Sequence, residues 1–168
     1  AVAAFPNRMF YFKECLKPVP LSHQKETRLH YELPSQDTLD DALKAHRMLF
    51  IPSKTCHHSQ LSDKVNPEEA HIVAILLGRI YRFYGNSFDA DKTIGVIVPY
   101  RNQIAMIRKE IEKLGIKALE RISIDTVERY QGSQRDVIIY SFTVQHRYQL
   151  DFLTANCFEE NGHIIDRK

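Results

Sequence analysis

None of the six glycines in this sequence is followed by lysine, so the G-x-x-x-x-G-K-[ST] loop that cradles nucleotide phosphates does not occur. No apolar run ends in an Asp-Glu pair either. Both the phosphate cradle and the magnesium carboxylate needed for ATP hydrolysis are missing, which excludes a self-sufficient ATPase. Cysteine is scarce: Cys15, Cys56 and Cys157 are odd in number, far apart and without a C-x-x-C pair, and read as free thiols. Cys56, His57 and His58 have metal-ligand chemistry, but adjacent residues rarely point at one ion and no second cluster follows. No metal site is expected. No apolar run reaches the length of a membrane span and no signal peptide opens the chain, so an intracellular protein, cytoplasmic or nuclear, is expected. The start at Ala1-Val2-Ala3-Ala4, without Met, reads as an excision from something larger.

What is present is the composition of a globular protein. The 168 residues are 43% hydrophobic and 26% charged, enough for one domain with a sizeable core and too few for two ordinary ones. A formal charge of +2 does not by itself suggest nucleic acid, so any basic surface must be local.

Along the chain, the segment from Asp37 to Arg47 reads as a short helix with acidic residues at its start, and Met48 to Ile51 as a core strand ended by Pro52. Asn66-Pro67-Glu68-Glu69 is a clear helix start. Asn66 is the cap, Pro67 the first helical residue, and Glu69 is placed to reach back to the cap. Ala70, Val73, Ala74, Leu77, Ile80, Tyr81 and Tyr84 then recur at helical spacing as far as Gly85. A buried strand is expected over Thr93 to Pro99. It leads into a helix from Arg101 to Leu114 that is lined by Ile104, Ile107, Ile111 and Leu114 and stopped by Gly115. Arg108, Lys109 and Lys113 read as a solvated face of that helix, with a phosphate track as the sharper alternative.

Two more strands, Ile122 to Thr126 and Asp136 to Phe142, flank a polar turn. Ile138 and Ile139 are consecutive apolar residues, which predicts a strand buried on both faces. Residues 144–163 show no period and read as loop with short helical pieces. Strands alternating with helices predict an α/β fold with a mainly parallel sheet.

Thr126, Glu128, Arg129, Tyr130, Gln131, Gly132 and Asp136 stand in the order T-x-[DE]-x-[FY]-Q-G-x-x-x-D before an apolar strand. This resembles motif V of the superfamily 1 helicases, in the branch that includes the RNA-surveillance and replication-associated enzymes. The run from Ile94 to Gln103, with Pro99-Tyr100-Arg101, resembles motif IV of the same group. The segment from His163 to Lys168 resembles the lead-in to motif VI. The resemblance implies a RecA-like domain of the P-loop NTPase type, its sheet sandwiched by helices, without a P-loop of its own. Residues 1–168 would form the single second motor domain of a larger protein. ATP with Mg2+ would sit between this domain and the first RecA-like domain of the same chain, which would hold the metal. Single-stranded DNA or RNA would be the partner, with movement 5′ to 3′ and roles in DNA repair or RNA processing.

Arg101 follows a buried strand and opens a helix, a placement unfavourable to a cation against the helix dipole and a reason to expect an anionic partner. By resemblance it would reach the terminal phosphate as an arginine finger does. Tyr100 would stack on the adenine, although a half-buried structural tyrosine fits the residues equally well. Gly132 would let the backbone approach the nucleotide, and Gln131 and Gln134 would bond its sugar or phosphates. Gln134 stands where the family commonly has an acid. Thr126 would contact a nucleic-acid phosphate through its hydroxyl, the alternative being a β-branched residue ending a strand. The reading is thus a motor domain supplying motif IV and V residues to an interdomain ATP site, and inactive alone. The rival is a helicase-derived binding or scaffold module without hydrolysis, supported by Gln134.

Overall fold

The computed structural model describes residues 4–11, 13, 16–17, 33–54, 64–130, 134–154, 157–160 and 163–166. The chain divides into two compact units, 1–30 and 31–168. In the first, α1 (Ala4–Met9) is tied to Leu16 by a side-chain amide. There the Asn7 amide donates to the Leu16 carbonyl at 3.0 Å and accepts from the Leu16 N–H at 2.8 Å.

The second unit is α/β, with a three-stranded parallel sheet flanked by helices as in a RecA-like fold. Its elements are α2 (Thr38–Ala45), α3 (Pro67–Tyr84), β1 (Ile94–Val98), α4 (Arg101–Glu112), α5 (Lys117–Glu120), β2 (Ser123–Thr126), α6 (Val127–Tyr130), β3 (Val137–Tyr140), α7 (Arg147–Thr154), β4 (Cys157–Glu160) and β5 (His163–Asp166). The strand order is β2-β1-β3, all parallel, with β1 in the centre.

The boundaries of α3 follow from its sequence. Asn66 Oδ1 accepts from the Glu69 N–H at 3.1 Å, Pro67 needs no donor, and Gly85 at φ 48 ends the helix. Its apolar stripe, Ala70, Val73, Leu77, Ile80, Phe83 and Tyr84, packs on Ile94, Val96 and Val98 of β1 and on Ile107 and Ile111 of α4. Each such side chain contributes about 1.5–3 kcal/mol by leaving water.

Alternate residues of a strand face opposite ways, so Gly95 looks away from that core. A Cβ built there would lie 1.5 Å from the Tyr130 hydroxyl oxygen and 2.6 Å from its Cζ. The reason is topological. The connection from β2 to β3 must pass across β1, and α6 lays the Tyr130 ring on the only residue of β1 without a side chain. Arg135 sits over the same ring, 5.7 Å from its centroid.

Helix α2 is fastened to α3 by charge. Asp37 caps α2, accepting from the Leu39 and Asp40 N–H groups at 3.0 Å each, and also takes Arg79 Nη1 at 2.7 Å. Asp40, fully buried, accepts from Arg79 at 2.7 Å, from the Gln36 N–H at 2.8 Å and from Arg82. The Arg79 bond holds the Asp37 carboxyl well down, at about 2. Burial pushes Asp40 upward, but its bonds from Gln36, Arg79 and Arg82 win and hold it below the usual carboxylate range.

Three expectations are corrected. Met48 to Ile51 is not a core strand: the segment is irregular, with Met48 91% and Phe50 80% exposed. Strand β3 is not buried on both faces, because it is an edge strand of the described sheet and leaves Ile138 44% exposed. Residues 144–163 hold the expected short helix, α7, but also strand β4, which pairs antiparallel with β5 and sets Phe158 opposite Ile165.

Candidate functional site

In open parallel sheets, ligands bind beyond the carboxyl ends of the strands, where connections diverge to opposite sides. Here β1 sends its chain through α4 to β2 on one side, and β3 lies on the other. The register pairs Val98 with Thr126 and Ile97 with Tyr140, so Pro99-Tyr100-Arg101, Thr126 and Tyr140-Ser141 all emerge at one edge.

Arg101 is the first residue of α4 and is exposed. It makes no hydrogen bond or ion pair among the described residues. The first turn of α4 contains no acidic residue, so a cation stands uncompensated at the positive end of a helix. Such a group is poised for an external anion. Tyr100, the residue before the helix, is half-buried, with Lys64 Nζ 5.9 Å from its ring centroid. Tyr140 is close by. Burial chiefly pushes its phenol up, with neighbouring Glu128 and Tyr100 adding to the effect. Thr126 is half-buried at the end of β2, its N–H taken by the Asp125 carboxylate at 2.9 Å. The Thr126 hydroxyl has no bond among the described residues.

The edge therefore brings Tyr100, Arg101 and Thr126 together. Gln134 is exposed on the approach to β3, and its carbonyl accepts from Arg135 at 2.6 Å. Gln131 and Gly132 lie outside the described residues, as do Cys56, His57 and His58. Among the described residues no three His, Cys, Asp or Glu side chains are grouped to hold a metal. An exposed guanidinium can donate to phosphate oxygens, and a neighbouring aromatic ring can stack on a base.

Two of the cations read as a solvated face, Arg108 and Lys113, have partners within the protein. Arg108 donates to the carbonyls of Glu120 and Ile122 at 2.8 Å each, tying α4 to the lead-in of β2, and burial lowers its pKa. Lys113 pairs with Glu110. Asp136 also acts structurally, since its carboxylate accepts from the Tyr84 hydroxyl at 3.4 Å and its N–H bonds the Lys92 carbonyl at 3.1 Å.

Sequence reasoning missed a buried polar network behind this edge. Gln103, fully buried, accepts from the Asn66 N–H at 2.8 Å and donates to the Asn66 carbonyl at 3.0 Å and to Ser141 Oγ at 3.2 Å. Glu69 does not reach back to the cap as expected, because Gln103 already occupies the Asn66 N–H. Its Oε2 instead accepts from Ser141 Oγ and from the Thr143 N–H, at 2.7 Å each. The signal was available: Gln103, Ile107 and Ile111 share one helical stripe, which marks Gln103 as a polar residue facing the core.

No described helix is long and apolar enough to cross a membrane. Residues 1–157 match the AAA domain family. The chain is similar to Helicase SEN1 of Saccharomyces cerevisiae, 31% identical over 93 residues, covering 55% of this chain and 4% of that protein. Probable RNA helicase armi of Drosophila melanogaster is 27% identical over 144 residues, covering 84% of this chain and 12% of that protein. The DNA replication ATP-dependent helicase/nuclease DNA2 of Xenopus laevis is 37% identical over 71 residues, 42% of this chain and 6% of that protein. This chain thus corresponds to only 4–12% of the length of these relatives. Because the match runs through residues 1–157 of 168, the chain belongs to the AAA domain family, and its relatives make it superfamily 1 helicase-like.

Proposed function

We propose that this chain acts as the second motor domain of an ATP-dependent superfamily 1 helicase inside the cell. It would supply motif IV and V residues to an ATP site shared with a first RecA-like domain of the same protein. The observation that carries this reading is Arg101, a cation with no described partner at the start of a rigid helix, on the ligand-binding edge of a parallel sheet. In this role the Arg101 guanidinium meets negative charge developing on the terminal phosphate, and Tyr100 packs on the base. Magnesium and the phosphate cradle belong to the partner domain, so the chain alone hydrolyses no ATP. Thr126 donates its hydroxyl to a backbone phosphate of single-stranded DNA or RNA, a contact indifferent to sequence, as a motor requires. By the motif V resemblance, Gln131 and Gln134 would bond the nucleotide's sugar or phosphates and Gly132 would let the backbone approach it.

The test is Arg101→Ala in the intact protein, read as ATP hydrolysis stimulated by single strands. The kcat should fall by about 10²-fold or more, given the roughly 10³–10⁵ attributed to arginine fingers. Arg101→Lys should not restore it, because an ammonium lacks the planar fork. Unchanged stimulated turnover in Arg101→Ala would remove Arg101 from the site. Absence of any turnover in the wild-type protein would favour the scaffold reading suggested by Gln134.

A further inference from the structure

We propose that Gln103 is a positioning residue for Arg101, anchoring the nucleotide-facing turn of α4 to the start of α3 and the end of β3. This rests on the role of Arg101 proposed above. Helix α4 begins without a side-chain cap, since Tyr100 makes no capping bond. Its start is held from inside the protein instead. A buried amide is tolerated only when its donors and acceptor are matched. Gln103 meets that condition with two bonds to the Asn66 backbone and one to Ser141 Oγ.

The anchor continues through Glu69. One carboxylate oxygen takes both the Ser141 hydroxyl and the Thr143 N–H. Thr143 sits at φ 59, a left-handed conformation that a β-branched residue adopts only when its surroundings enforce it. A line of bonds, buried at Gln103 and part-buried at Glu69, therefore runs from the turn carrying Arg101, through Ser141 and Glu69, to the strained residue leaving β3. The first turn of α4 cannot shift against the sheet without breaking them. A guanidinium acting on developing charge must be placed to within about 0.5 Å, and its own helix start supplies no such precision.

The experiment compares Gln103→Met, Arg101→Ala and the double variant in the intact protein, through single-strand-stimulated ATP hydrolysis. Gln103→Met keeps the side chain's length and removes its bonds. It should lower kcat roughly tenfold while leaving KM for ATP within about twofold, because a displacement of about 1 Å costs on the order of 10²-fold and a shift of about half that costs roughly tenfold. Acting through Arg101, it should add nothing further, so the double variant is no slower than Arg101→Ala. If Arg101→Ala is slow but Gln103→Met keeps wild-type kcat, or the two losses multiply, the positioning role is wrong while the role of Arg101 stands. If Arg101→Ala itself has wild-type kcat, the functional reading fails and this inference with it. Should Gln103→Met not fold, Ser141→Ala removes two bonds of the same line, those with Gln103 and Glu69, and leaves the Gln103 bonds to Asn66 in place. It should show a smaller kcat loss that again vanishes in the Arg101→Ala background, and additive losses there would overturn the proposal.

Discussion

The first turn of α3 and its last two turns are each tied to neighbouring elements, by opposite chemistry. At the start, Asn66 and Glu69 meet Gln103, Ser141 and Thr143 through amides, hydroxyls and one carboxylate, in a fully or mostly buried setting. Near the end, Arg79 and Arg82 meet Asp37 and Asp40 through formal charges, with Asp37 half in water. Charge attracts over a range of geometries but responds to acid and salt. Amide bonds ignore both and demand position. At the functional edge the Gln103 bonds are of the second kind, and the far end of the helix has the first.

The largest effect that would sharpen this contrast is expected from Asp40→Ala. It strands two arginines beside a buried site, so denaturant unfolding should show a loss near 3 kcal/mol, the low end for a broken buried pair because both arginines reach water. Next comes Gln103→Met, which leaves the Asn66 backbone and Ser141 short of partners. A loss of about 1–3 kcal/mol is expected, independent of salt. A strong salt dependence there would erase the distinction between the two ends.

Acid separates them further. Asp37 titrates at about 2 in the fold against an ordinary 3.8, so the unfolded chain takes up its proton first. Its contribution is complete above the ordinary value and is lost as pH falls through the folded one. Stability measured from pH 4 to pH 2 should therefore drop less steeply in Asp37→Asn than in wild type, while Gln103→Met keeps the wild-type slope. Equal slopes in all three would show that Arg79 does not hold Asp37. The smallest effect concerns a polar group with neither kind of tie: the Tyr130 hydroxyl is buried without a partner among the described residues. Tyr130→Phe should be neutral or stabilising by up to about 1 kcal/mol, and a clear loss would reveal a missing bond.

What was legible in the sequence follows the same division. Helix α3 could be read nearly to the residue, because its cap, its Pro and its apolar stripe are all local signals. So could β1 and the start of α4, and with them the edge carrying Tyr100 and Arg101. The Met48 to Ile51 run misled because four apolar residues state a preference for burial and nothing of the partner that would provide it. The doubling of Ile138 and Ile139 misled for a related reason, since the position of β3 in the sheet order is not encoded in β3. The β4-β5 pair had a local signal that went unused: Asn161-Gly162 between two short runs is a strong hairpin dipeptide. Glu69 was misassigned because its competitor for the Asn66 N–H, Gln103, lies 37 residues away.

The ring of Tyr130 lying on Gly95 has an evolutionary consequence. Two segments that look like separate sequence signatures, one holding Gly95 and the other Tyr130, form a single mechanical piece. A methyl group at 95 would collide with the hydroxyl oxygen and Cζ of Tyr130, so neither position is free to drift alone. Alanine at 95 becomes tolerable only where the residue at 130 has already shrunk beyond phenylalanine, since Cζ alone would still lie 2.6 Å away. That shrinkage in turn opens a hole beside a strand that still has glycine. Each order of substitution passes through a damaged intermediate. The pair should consequently be inherited together, as an epistatic lock across the sheet.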